Sequence, residues 1–545
     1  MKIHSDDNIA VALQDLKKDE TVAVEQTSLT LQEFIPQKHK FTLTDLAKGD
    51  LIKMYGVTVG KVNTALPKGS KISTENTVHA TEGFSEKTTD ESWSAPDTSS
   101  WQNQTFQGYY RADGKVGTRN YWLVIPLVFC ENRNVETLQK MLEEELGYGV
   151  QTAPQLSIQE LISGFQAGKS EADLLATKLH QSTDNQSSPR IFPNVDGIKF
   201  LTHDGGCGGT RDDSDTLCRL LAGYITHPNV AGATVLSLGC QNAQIPILKE
   251  AIERLDNDFQ KPIYFLEQQG STSEQDFIAE AAKKTFVGCM KANEIERKAA
   301  SLQHLCLGLE CGGSDGFSGI SANPALGHTS DLLVALGAKT ILAEFPELNG
   351  VEQELINRCD SKELAQKFAE LMQTYSQRAR EVGSDFAWNP SPGNIKDGLI
   401  TDAMKSAGAA KKGGTSPVVN VLDYTEQAEK SGLSLLCTPG NDVESTTGLA
   451  GSGANVIVFT TGLGTPTGNP ISPVLKIASN SNLATRMQDI IDLDTGEIIR
   501  GKKTIEDIGA QLLDLIIKTA SGEYQTKAER LGQDDFIPWK RGISL

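Results

Sequence analysis

The sequence lacks any long apolar run. No uninterrupted apolar stretch among its 545 residues is long enough to span a bilayer. The first residues, MKIHSDDN, have no apolar core of the kind that a secretory signal needs. We therefore expect a cytoplasmic protein that has no membrane partner.

Positive charge is also scarce. The chain has 51 Lys and Arg against 70 Asp and Glu, which gives a net charge of -19 at pH 7. Such a surplus of negative charge argues against nucleic acid or an anionic membrane as partner. It does not argue against a small acidic substrate, which needs only a local positive site. A homo-oligomer is also compatible with the sequence.

Motifs with a fixed spacing are missing too. None of the nine cysteines forms a Cys-x-x-Cys pair, which excludes zinc-ribbon and ferredoxin spacings. Disulfides are not expected in a cytoplasmic chain. A Walker A lysine pattern and an intact G-x-G-x-x-G are absent, so nucleotide binding has little support.

The pattern of the chain predicts three units, since 545 residues are too many for one core. Residues 1–80 show short alternating apolar runs between turn signals, which indicates a small β-rich module. Residues 81–107 are rich in Ser, Thr, Asp and Glu and predict a linker, which its two tryptophans would attach to a domain surface. From residue 108, alternating strands and helices predict an α/β fold with mostly parallel sheets. We divide it into two α/β lobes, residues 108–385 and 386–545.

Amphipathic spacing predicts the helices of these lobes. The main helical segments are residues 135–146, 245–255, 273–284, 291–302, 361–381 and 505–517.

The stretch ECGGSDGFSGISANPALG, residues 310–327, follows a short apolar run that suits a buried strand. Ligands of open α/β sheets bind beyond the carboxyl ends of strands. Cys311, Ser314, Asp315 and Asn323 are therefore candidates for an active site. The alternative is a Gly-rich turn that precedes a helix.

Four cysteines lie at the ends of predicted strands or in Gly-rich turns beyond them: Cys130, Cys207, Cys240 and Cys311. If these strands share a sheet, the thiols converge on one edge. Thiolates bind soft or borderline metals and iron–sulfur clusters, so one metal centre is a candidate. The alternative is that each cysteine is a small, buried packing residue.

Further candidates stand next to predicted strands. His203 is a candidate general base because its ordinary pKa lies near neutrality, or else it is a surface-loop histidine. Arg119 and Asn120 could hold a substrate carboxylate, or they could form a solvated turn. Later polar loops supply hydroxyl and amide groups that suit a polyhydroxylated ligand; these groups belong to Ser391, Asn394, Thr460 and Thr461.

Several blocks resemble the altronate/galactarate dehydratase family over nearly the whole chain. They are IHSDDNIAVAL, GYYRADGKVGTRN, HPNVAGATVLSLGC, ECGGSDGFSGISANPALGHTSDLLV, NPSPGN, FTTGLGTPTGNPISPVLKIASNS and DDFIPWKRG. The N-terminal module resembles the small β-rich SAF domain of that family. Cys130, Cys207, Cys240 and Cys311 fall where the family pattern also has Cys.

The resemblance implies a reaction. Family enzymes remove water from a sugar acid: the proton next to the carboxylate is abstracted, the β-hydroxyl leaves, and a 2-keto-3-deoxy acid forms. It also implies iron(II), with manganese(II) as a possible substitute; an iron–sulfur cluster is a further option. D-altronate, converted to 2-dehydro-3-deoxy-D-gluconate in hexuronate catabolism, is the leading substrate. Galactarate, the more distant sulfolactate, and a non-catalytic sugar-acid-binding protein are the alternatives. His203, then Asp315, are the candidate bases, and Ser314 is a third catalytic candidate.

The sequence departs from the family pattern in three places. Residues 73–76, STEN, replace a His-x-His-Asn pattern, which removes two histidines from any metal site there. Gln241 replaces a glutamate, and Ile395 stands where the family has lysine. We expect these changes to affect the choice of sugar acid or the metal preference.

Overall fold

The chain forms a small β module and two α/β lobes in a computed structural model. The structure describes residues 1–25, 27–89, 92–149, 157–179 and 189–544. The predicted α/β class, with mostly parallel sheets, is confirmed. Within the described ranges, no helix combines the length and the apolar character needed to cross a membrane.

The N-terminal SAF-like module consists of short antiparallel strands, as predicted. Buried side chains such as Leu31 and Ile35 form a small core of the module, whereas Ile52 and Val59 belong to the core that extends into the larger lobe. The strands are β1 Ile9–Val11, β2 Thr21–Val24, β3 Thr27–Thr30, β4 Lys40–Thr42, β5 Leu51–Met54, β6 Val57–Val62 and β7 Thr77–Val78.

The linker lies along the larger lobe. Among its described residues, 81–89 and 92–104, no helix or strand forms; residues 90 and 91 lie outside the described ranges. Trp93 Nε1 donates to Thr415 Oγ1 at 3.2 Å, and Trp101 Nε1 donates to Asp514 Oδ1 at 2.9 Å. The two tryptophans therefore attach the linker, as expected. The linker ends earlier than predicted because a strand begins at Thr105.

The smaller lobe is built on a four-stranded parallel sheet of order β11-β10-β12-β13. Its two central strands are buried along their whole length, as parallel strands covered on both faces require, whereas the two edge strands are partly exposed. The strands in and before this lobe are β8 Thr105–Tyr110, β9 Val116–Gly117, β10 Tyr121–Pro126, β11 Gly197–Phe200, β12 Val230–Ser237 and β13 Ile263–Glu267. The helices are α1 Asn132–Leu146, α2 Gln159–Gln166, α3 Glu171–Leu175, α4 Arg211–Thr226, α5 Ile245–Leu255 and α6 Glu274–Ala292.

The predicted helix over residues 291–302 is wrong. Helix α6 ends at Ala292, and residues Lys298–Ser301 form strand β14, which pairs antiparallel with β8. Pairing with a strand almost 200 residues away in sequence decides this conformation. The spacing of apolar residues within the segment cannot reveal such a distant partner.

The larger lobe contains a seven-stranded parallel sheet of order β17-β18-β16-β15-β19-β20-β21. The strands are β15 Cys306–Cys311, β16 Lys339–Leu342, β17 Val418–Leu422, β18 Gly432–Leu436, β19 Val456–Thr461, β20 Val474–Ala478 and β21 Leu493–Asp494. The helices are α7 Ala322–Ala335, α8 Glu352–Arg358, α9 Lys362–Glu381, α10 Pro392–Lys396, α11 Asp402–Ala409, α12 Asp442–Gly451, α13 Ser481–Arg486, α14 Gly496–Ile499, α15 Ile505–Ala520 and α16 Lys527–Arg530.

This sheet corrects the proposed boundary between the lobes at residues 385 and 386. Strands β15 and β16 precede that point, and they pair with β18 and β19, which follow it. The proline-rich segment after residue 385 is therefore a connection within one lobe. The division between the two parallel sheets lies earlier, between α6 and β15.

Strand β15 lies where the order of the sheet reverses. After β15, the chain adds β16, β17 and β18 on one side, and later adds β19, β20 and β21 on the other. Ligands of open α/β sheets bind outside the carboxyl ends of the strands at such a reversal. The residues just after β15 are therefore in the position that the fold favours for a site.

Candidate active site

A group of buried ionisable side chains surrounds the carboxyl ends of β15 and β16. We call it the charge cluster. Except for Asp442, which is partly exposed, its members are at most 9% exposed. They are Glu310, Cys311, Glu344, Glu347, Lys405, Lys412 and Asp442.

Lys412 is the centre of this cluster and is 1% exposed. Its Nζ lies 2.7 Å from Cys311 Sγ and 2.7 Å from Glu344 Oε2. The Cys311 thiol also donates to Glu347 Oε2 at 3.1 Å. Burial alone would lower the pKa of Lys412, but Cys311 and the surrounding carboxylates outweigh burial and raise it. Lys412 therefore stays cationic.

Lys405 provides a second ammonium nearer the surface. Its Nζ contacts Glu347 Oε1 and Asn389 Oδ1, each at 2.6 Å. Burial opposes its charge, but Glu347 outweighs burial and raises the pKa of Lys405. An ammonium has three N–H donors, and among the described residues hydrogen bonds use two of those of Lys405, which leaves a third for a ligand.

The backbone fixes the cluster. Glu344 follows β16 with φ of 68°, a left-handed conformation that a non-glycine residue adopts at a cost. Its N–H donates to Thr438 Oγ1 at 2.9 Å, and Glu344 Oε2 accepts the Cys311 N–H at 3.1 Å. These bonds hold the Glu344 side chain against the end of β15.

Asp442 borders the cluster at the first turn of α12. Gly312 makes room for it, because a Cβ at that position would lie 2.1 Å from Asp442 Oδ2. Burial, followed by the nearby Glu344 and Glu347, raises the pKa of Asp442 to about 7. A carboxyl group with such a pKa can both accept and return a proton near neutral pH.

The remaining carboxyl groups differ in ionisation. Burial and the neighbouring Glu344 raise the pKa of Glu310, and burial and Glu347 raise the pKa of Glu344. Burial opposes ionisation of Glu347 as well, but Lys405 and Lys412 outweigh it and lower its pKa. Around the two ammonium groups, the pKa of Glu347 is therefore lowered, whereas those of Glu310 and Glu344 are raised.

Cys311, Glu344 and Glu347 also form the one group of metal-ligand type among the described residues, with ligand atoms within 4.8 Å of one another. Iron(II) or manganese(II), which the family resemblance implies, fits poorly there. Lys412 already contacts the thiol and Glu344, and Lys405 already contacts Glu347. A divalent ion between these ligands would lie beside two ammonium groups and be repelled. The reaction steps assigned to this cluster therefore involve no metal ion.

Several residues predicted from the stretch after β15 lie near the cluster. The Ser314 carbonyl accepts from Asn394 Nδ2 at 2.7 Å, and Ser391 caps the short helix that carries Asn394. The hydrogen bond from Asn394 to Ser314 joins the segment NPSPGN to the segment ECGGSDG. Asn394 and Ser391 thus support the backbone of the site.

Asp315 is paired rather than free. Its carboxylate accepts from Ser479 Oγ at 2.8 Å and Asn480 Nδ2 at 3.1 Å, and it lies 3.0 Å from Lys38 Nζ of the SAF-like module. Lys38 also contacts Asp397 Oδ1 at 2.7 Å. These contacts make Asp315 the docking point of the N-terminal module and leave it poorly suited to be a general base.

Asn323, Thr460 and Thr461 have internal partners. Thr460 Oγ1 donates to Asn323 Oδ1 at 2.6 Å, and Asn323 Nδ2 donates to the Gly408 carbonyl at 3.0 Å. Thr461 Oγ1 accepts from the Gly464 N–H at 3.0 Å. They connect β19 to neighbouring helices and shape the turn beyond it.

Arg119 and Asn120 do not belong to this site, which corrects their assignment to substrate binding. They precede β10 and so lie at the amino end of the smaller sheet. Arg119 Nε pairs with Glu529 Oε1 at 2.7 Å, and Asn120 Nδ2 donates to the Asn194 and Ala292 carbonyls. Both are buried contacts that join parts of the fold.

His203 is buried, and both of its ring nitrogens are engaged. Nε2 lies 2.8 Å from the Pro126 carbonyl, and Nδ1 accepts the Gly205 N–H at 3.1 Å. Burial lowers its pKa, so the ring is neutral. These contacts hold the turn after β11 and do not suit the predicted role as a base.

The four candidate cysteines do not share one sheet. Cys130, Cys207 and Cys240 follow strands of the smaller lobe and are exposed, whereas Cys311 is buried in the larger lobe. The expected convergence of four thiols on one centre is therefore wrong. The other three, Cys130, Cys207 and Cys240, follow strands of one sheet.

Sequence reasoning missed Glu344, Glu347, Lys405, Lys412 and Asp442. Two signals were present. Glu344 and Glu347 come directly after the short apolar run TILA, and the lysines stand in AMKSAGAAKKGG, where small neighbours allow close packing. Lysines that stand among Ala and Gly indicate burial, and the burial of Lys405 and Lys412 can be predicted from this pattern.

Comparisons with known proteins agree with this architecture. Three family models match: the altronate/galactarate dehydratase SAF domain over residues 1–80, the second domain of D-galactarate dehydratase/altronate hydrolase over residues 108–293, and the C-terminal domain of D-galactarate/altronate dehydratase over residues 302–544. The last two divide where the two parallel sheets do.

Full-length relatives are similar as well. An altronate dehydratase of Escherichia coli is 32% identical over 100% of this chain and 99% of its own length. An altronate dehydratase of Bacillus subtilis is 31% identical over 100% of this chain and 99% of its own. A galactarate dehydratase (L-threo-forming) of Escherichia coli is 31% identical over 98% of this chain and 94% of its own.

Together, the α/β architecture and these matches define an enzyme of the hydro-lyase class that dehydrates sugar acids. The chain belongs to the altronate/galactarate dehydratase family, which confirms the resemblance seen in the sequence.

Proposed function

We propose that this enzyme dehydrates D-altronate to 2-dehydro-3-deoxy-D-gluconate at the charge cluster. The observation that carries the proposal is the position of Asp442 over Gly312, at the end of β15, beside two buried ammonium groups. Similarity to two altronate dehydratases supports this substrate.

In this mechanism, Asp442 removes the proton next to the substrate carboxylate. The negative charge that develops on the carboxylate oxygens is stabilised by the free N–H of Lys405, with Lys412 behind it. Asp442 then returns its proton to the departing β-hydroxyl, which leaves as water. The enol product rearranges to the 2-keto acid, so that the substrate has lost one water overall.

Galactarate is the second candidate, because a galactarate dehydratase is almost as similar to this chain as the altronate dehydratases are. The missing histidines of the SAF-like module also distinguish this chain from the altronate-type pattern. The non-catalytic sugar-acid-binding alternative is dropped, since the chain is a hydro-lyase.

A substrate panel tests the proposal. Purified reduced protein, prepared with and without iron(II), is incubated with altronate, galactarate, mannonate and sulfolactate. We expect 2-keto acid from altronate, measured as its semicarbazone, at a higher kcat/KM than from the other compounds. Faster turnover of galactarate would replace altronate as the substrate, and no turnover of any sugar acid would reject the proposal.

The pH profile of kcat/KM should show an acid limb with a midpoint near pH 7. Asp442 must be ionised to accept the proton, so activity should fall about tenfold per pH unit below its pKa. A midpoint below pH 5 would exclude Asp442 as the base.

The same raised pKa of Asp442 means that the folded protein binds this proton more tightly than the unfolded chain does. The stability contributed by Asp442 is therefore present below its ordinary pKa of 3.8 and is lost as the pH rises to about 7.

A further inference from the structure

A large cavity lies between the SAF-like module and the larger lobe. Its volume is about 1000 Å³, which is ample for a small molecule. The lobe side is formed by residues that follow three neighbouring strands: Gly462 after β19, Asn480 after β20 and Gly496 after β21. Ligands of open α/β sheets bind beyond such carboxyl ends. The cavity therefore lies on the side of the sheet that favours a ligand.

This cavity is distinct from the charge cluster. Of the described residues that line it, none belongs to that cluster. Lys38 of the module lies in its wall and pairs with Asp315 and Asp397 of the lobe. The cavity is thus a second space in the larger lobe, bordered by the contact that docks the module.

Two arginines on the lobe side have unused donors. Arg486 is in α13, Arg500 directly follows α14, and both are exposed. One N–H of Arg486 donates to the Leu463 carbonyl at 3.3 Å, whereas Arg500 makes no hydrogen bond or ion pair with the described residues. A guanidinium has five N–H donors and can bind a carboxylate through two of them. In a chain with a net charge of -19, this local positive charge favours an anionic ligand.

The lining also carries groups that suit the hydroxyls of a ligand. Asp397 Oδ1 contacts Lys38 Nζ at 2.7 Å, and Glu20 Oε2 accepts the Lys17 N–H at 2.7 Å. A carboxylate has about four acceptor positions, so both carboxylates can accept further hydrogen bonds. Gln14 adds an exposed amide. Such groups bond hydroxyls well, and together with the arginines they favour a ligand that has both hydroxyls and an anionic group.

Ser481 is an independent sign of a missing partner. It is the first residue of α13, is 8% exposed and lines the cavity. Its Oγ has no hydrogen-bond partner among the described residues. Buried polar groups are nearly always hydrogen-bonded, so this hydroxyl needs an explanation. A ligand in the cavity can supply the missing partner.

We propose that this cavity is a second binding site, which takes a small hydroxy acid. The carboxylate of the acid pairs with Arg486 and Arg500, and its hydroxyls bond Asp397 and Ser481. Sugar acids, the compounds that this family dehydrates, have this combination of groups. The inference rests on the lining of the cavity and on the family, and it does not depend on the charge cluster as the catalytic site.

A ligand at this site would control how firmly the module is docked. The cavity has module residues such as Gln14 and Gln37 on one side and lobe residues such as Arg486 and Arg500 on the other. An acid that binds only the docked state stabilises that state increasingly as its concentration rises. The site thus couples the supply of sugar acid to the docking of the SAF-like module.

Hydrogen–deuterium exchange of the whole chain locates the ligand. With D-gluconate as the probe at about 10 mM, backbone exchange in residues 20–24 and 480–500 should slow at least about threefold. Sorbitol has the hydroxyls without the charge, and hexanoate has the carboxylate without the hydroxyls. Each of them should slow the exchange much less than D-gluconate does, and so should inorganic phosphate.

A double variant tests the two arginines. Arg486→Gln combined with Arg500→Gln should abolish the slowing, because the carboxylate loses both guanidinium partners. Arg378→Gln is the matched control: Arg378 is an exposed arginine on α9 of the same lobe, outside the cavity, and this variant should keep the slowing. All three positions are exposed, so the melting temperatures should equal that of the wild type, which checks the fold.

Equal slowing by phosphate or hexanoate would overturn the assignment to a hydroxy acid. The site itself would be overturned if D-gluconate slowed no exchange in these segments, or if the double variant kept the full effect. Turnover is measured separately with the substrate panel. A protein that shows the slowing but converts no sugar acid would reject the proposed function alone, and a protein that turns over altronate without the slowing would reject the second site alone.

Discussion

Asp442→Asn is expected to lower kcat about 10²–10⁴-fold, the usual contribution of a positioned general base. The amide has the same shape as the carboxyl group but cannot accept the proton. Because the amide keeps the size and shape of the carboxyl group, the substrate should still bind beside it, so KM should stay within a few-fold. Steady-state kinetics with altronate measures both values.

Glu506→Gln is the control for this variant. Glu506 is also an acidic residue in the first turn of a helix, α15, but it is exposed and lies outside the charge cluster. It should retain wild-type kinetics. If Asp442→Asn keeps more than about a tenth of the wild-type kcat, another group removes the proton and the mechanism above is wrong.

Lys412→Met is expected to destabilise the larger lobe by about 3–5 kcal/mol, the usual cost of removing one partner from a buried ion pair. The change leaves Glu344 and Cys311 facing each other without the ammonium that contacts both at 2.7 Å. For a lobe of this size, the melting temperature should fall by about 10 °C. Thermal unfolding followed by circular dichroism measures it.

The neighbouring lysine is a matched control. Lys411 is partly exposed and lies 3.5 Å from Glu354, so Lys411→Met should change the free energy of unfolding by less than about 1 kcal/mol. The double variant Lys412→Met, Glu344→Gln should recover part of the loss, because it removes the unpaired charge as well. Equal melting temperatures for the two single variants would show that Lys412 does not neutralise the cluster.

Cys311 could be found from the sequence, because a Gly-rich polar stretch after an apolar run marks the end of a strand. The rest of the charge cluster could not be assembled in that way. Lys405 and Lys412 lie about 100 residues from Cys311, and only the order of the sheet and the packing of α11 bring them to it. Pairings such as β16 with β18 leave no local trace, which is also why the lobe boundary was misplaced.

Arg119 shows a different kind of error. An arginine beside a strand suggested a carboxylate site, but Arg119 precedes β10 and therefore lies at the amino end of the sheet. The position of Arg119 before the strand can be read from the sequence. It argues against a ligand-binding role, because ligands bind beyond the carboxyl ends of the strands. His203 does lie at the carboxyl end of a strand. Its ring nitrogens contact two backbone groups, which only the structure shows, and these contacts explain why His203 is a poor base.

The docking of the SAF-like module has a consequence for how the protein behaves when its chain is cut. Lys38 pairs with Asp315 and Asp397, and the buried Lys40 donates to the Gly398 carbonyl at 2.6 Å. The linker makes this docking intramolecular, at an effective concentration on the order of millimolar. A protease cut in residues 81–89 would turn the module into a separate subunit. Its occupancy would then depend on dilution, although every contact of the docked state would be preserved.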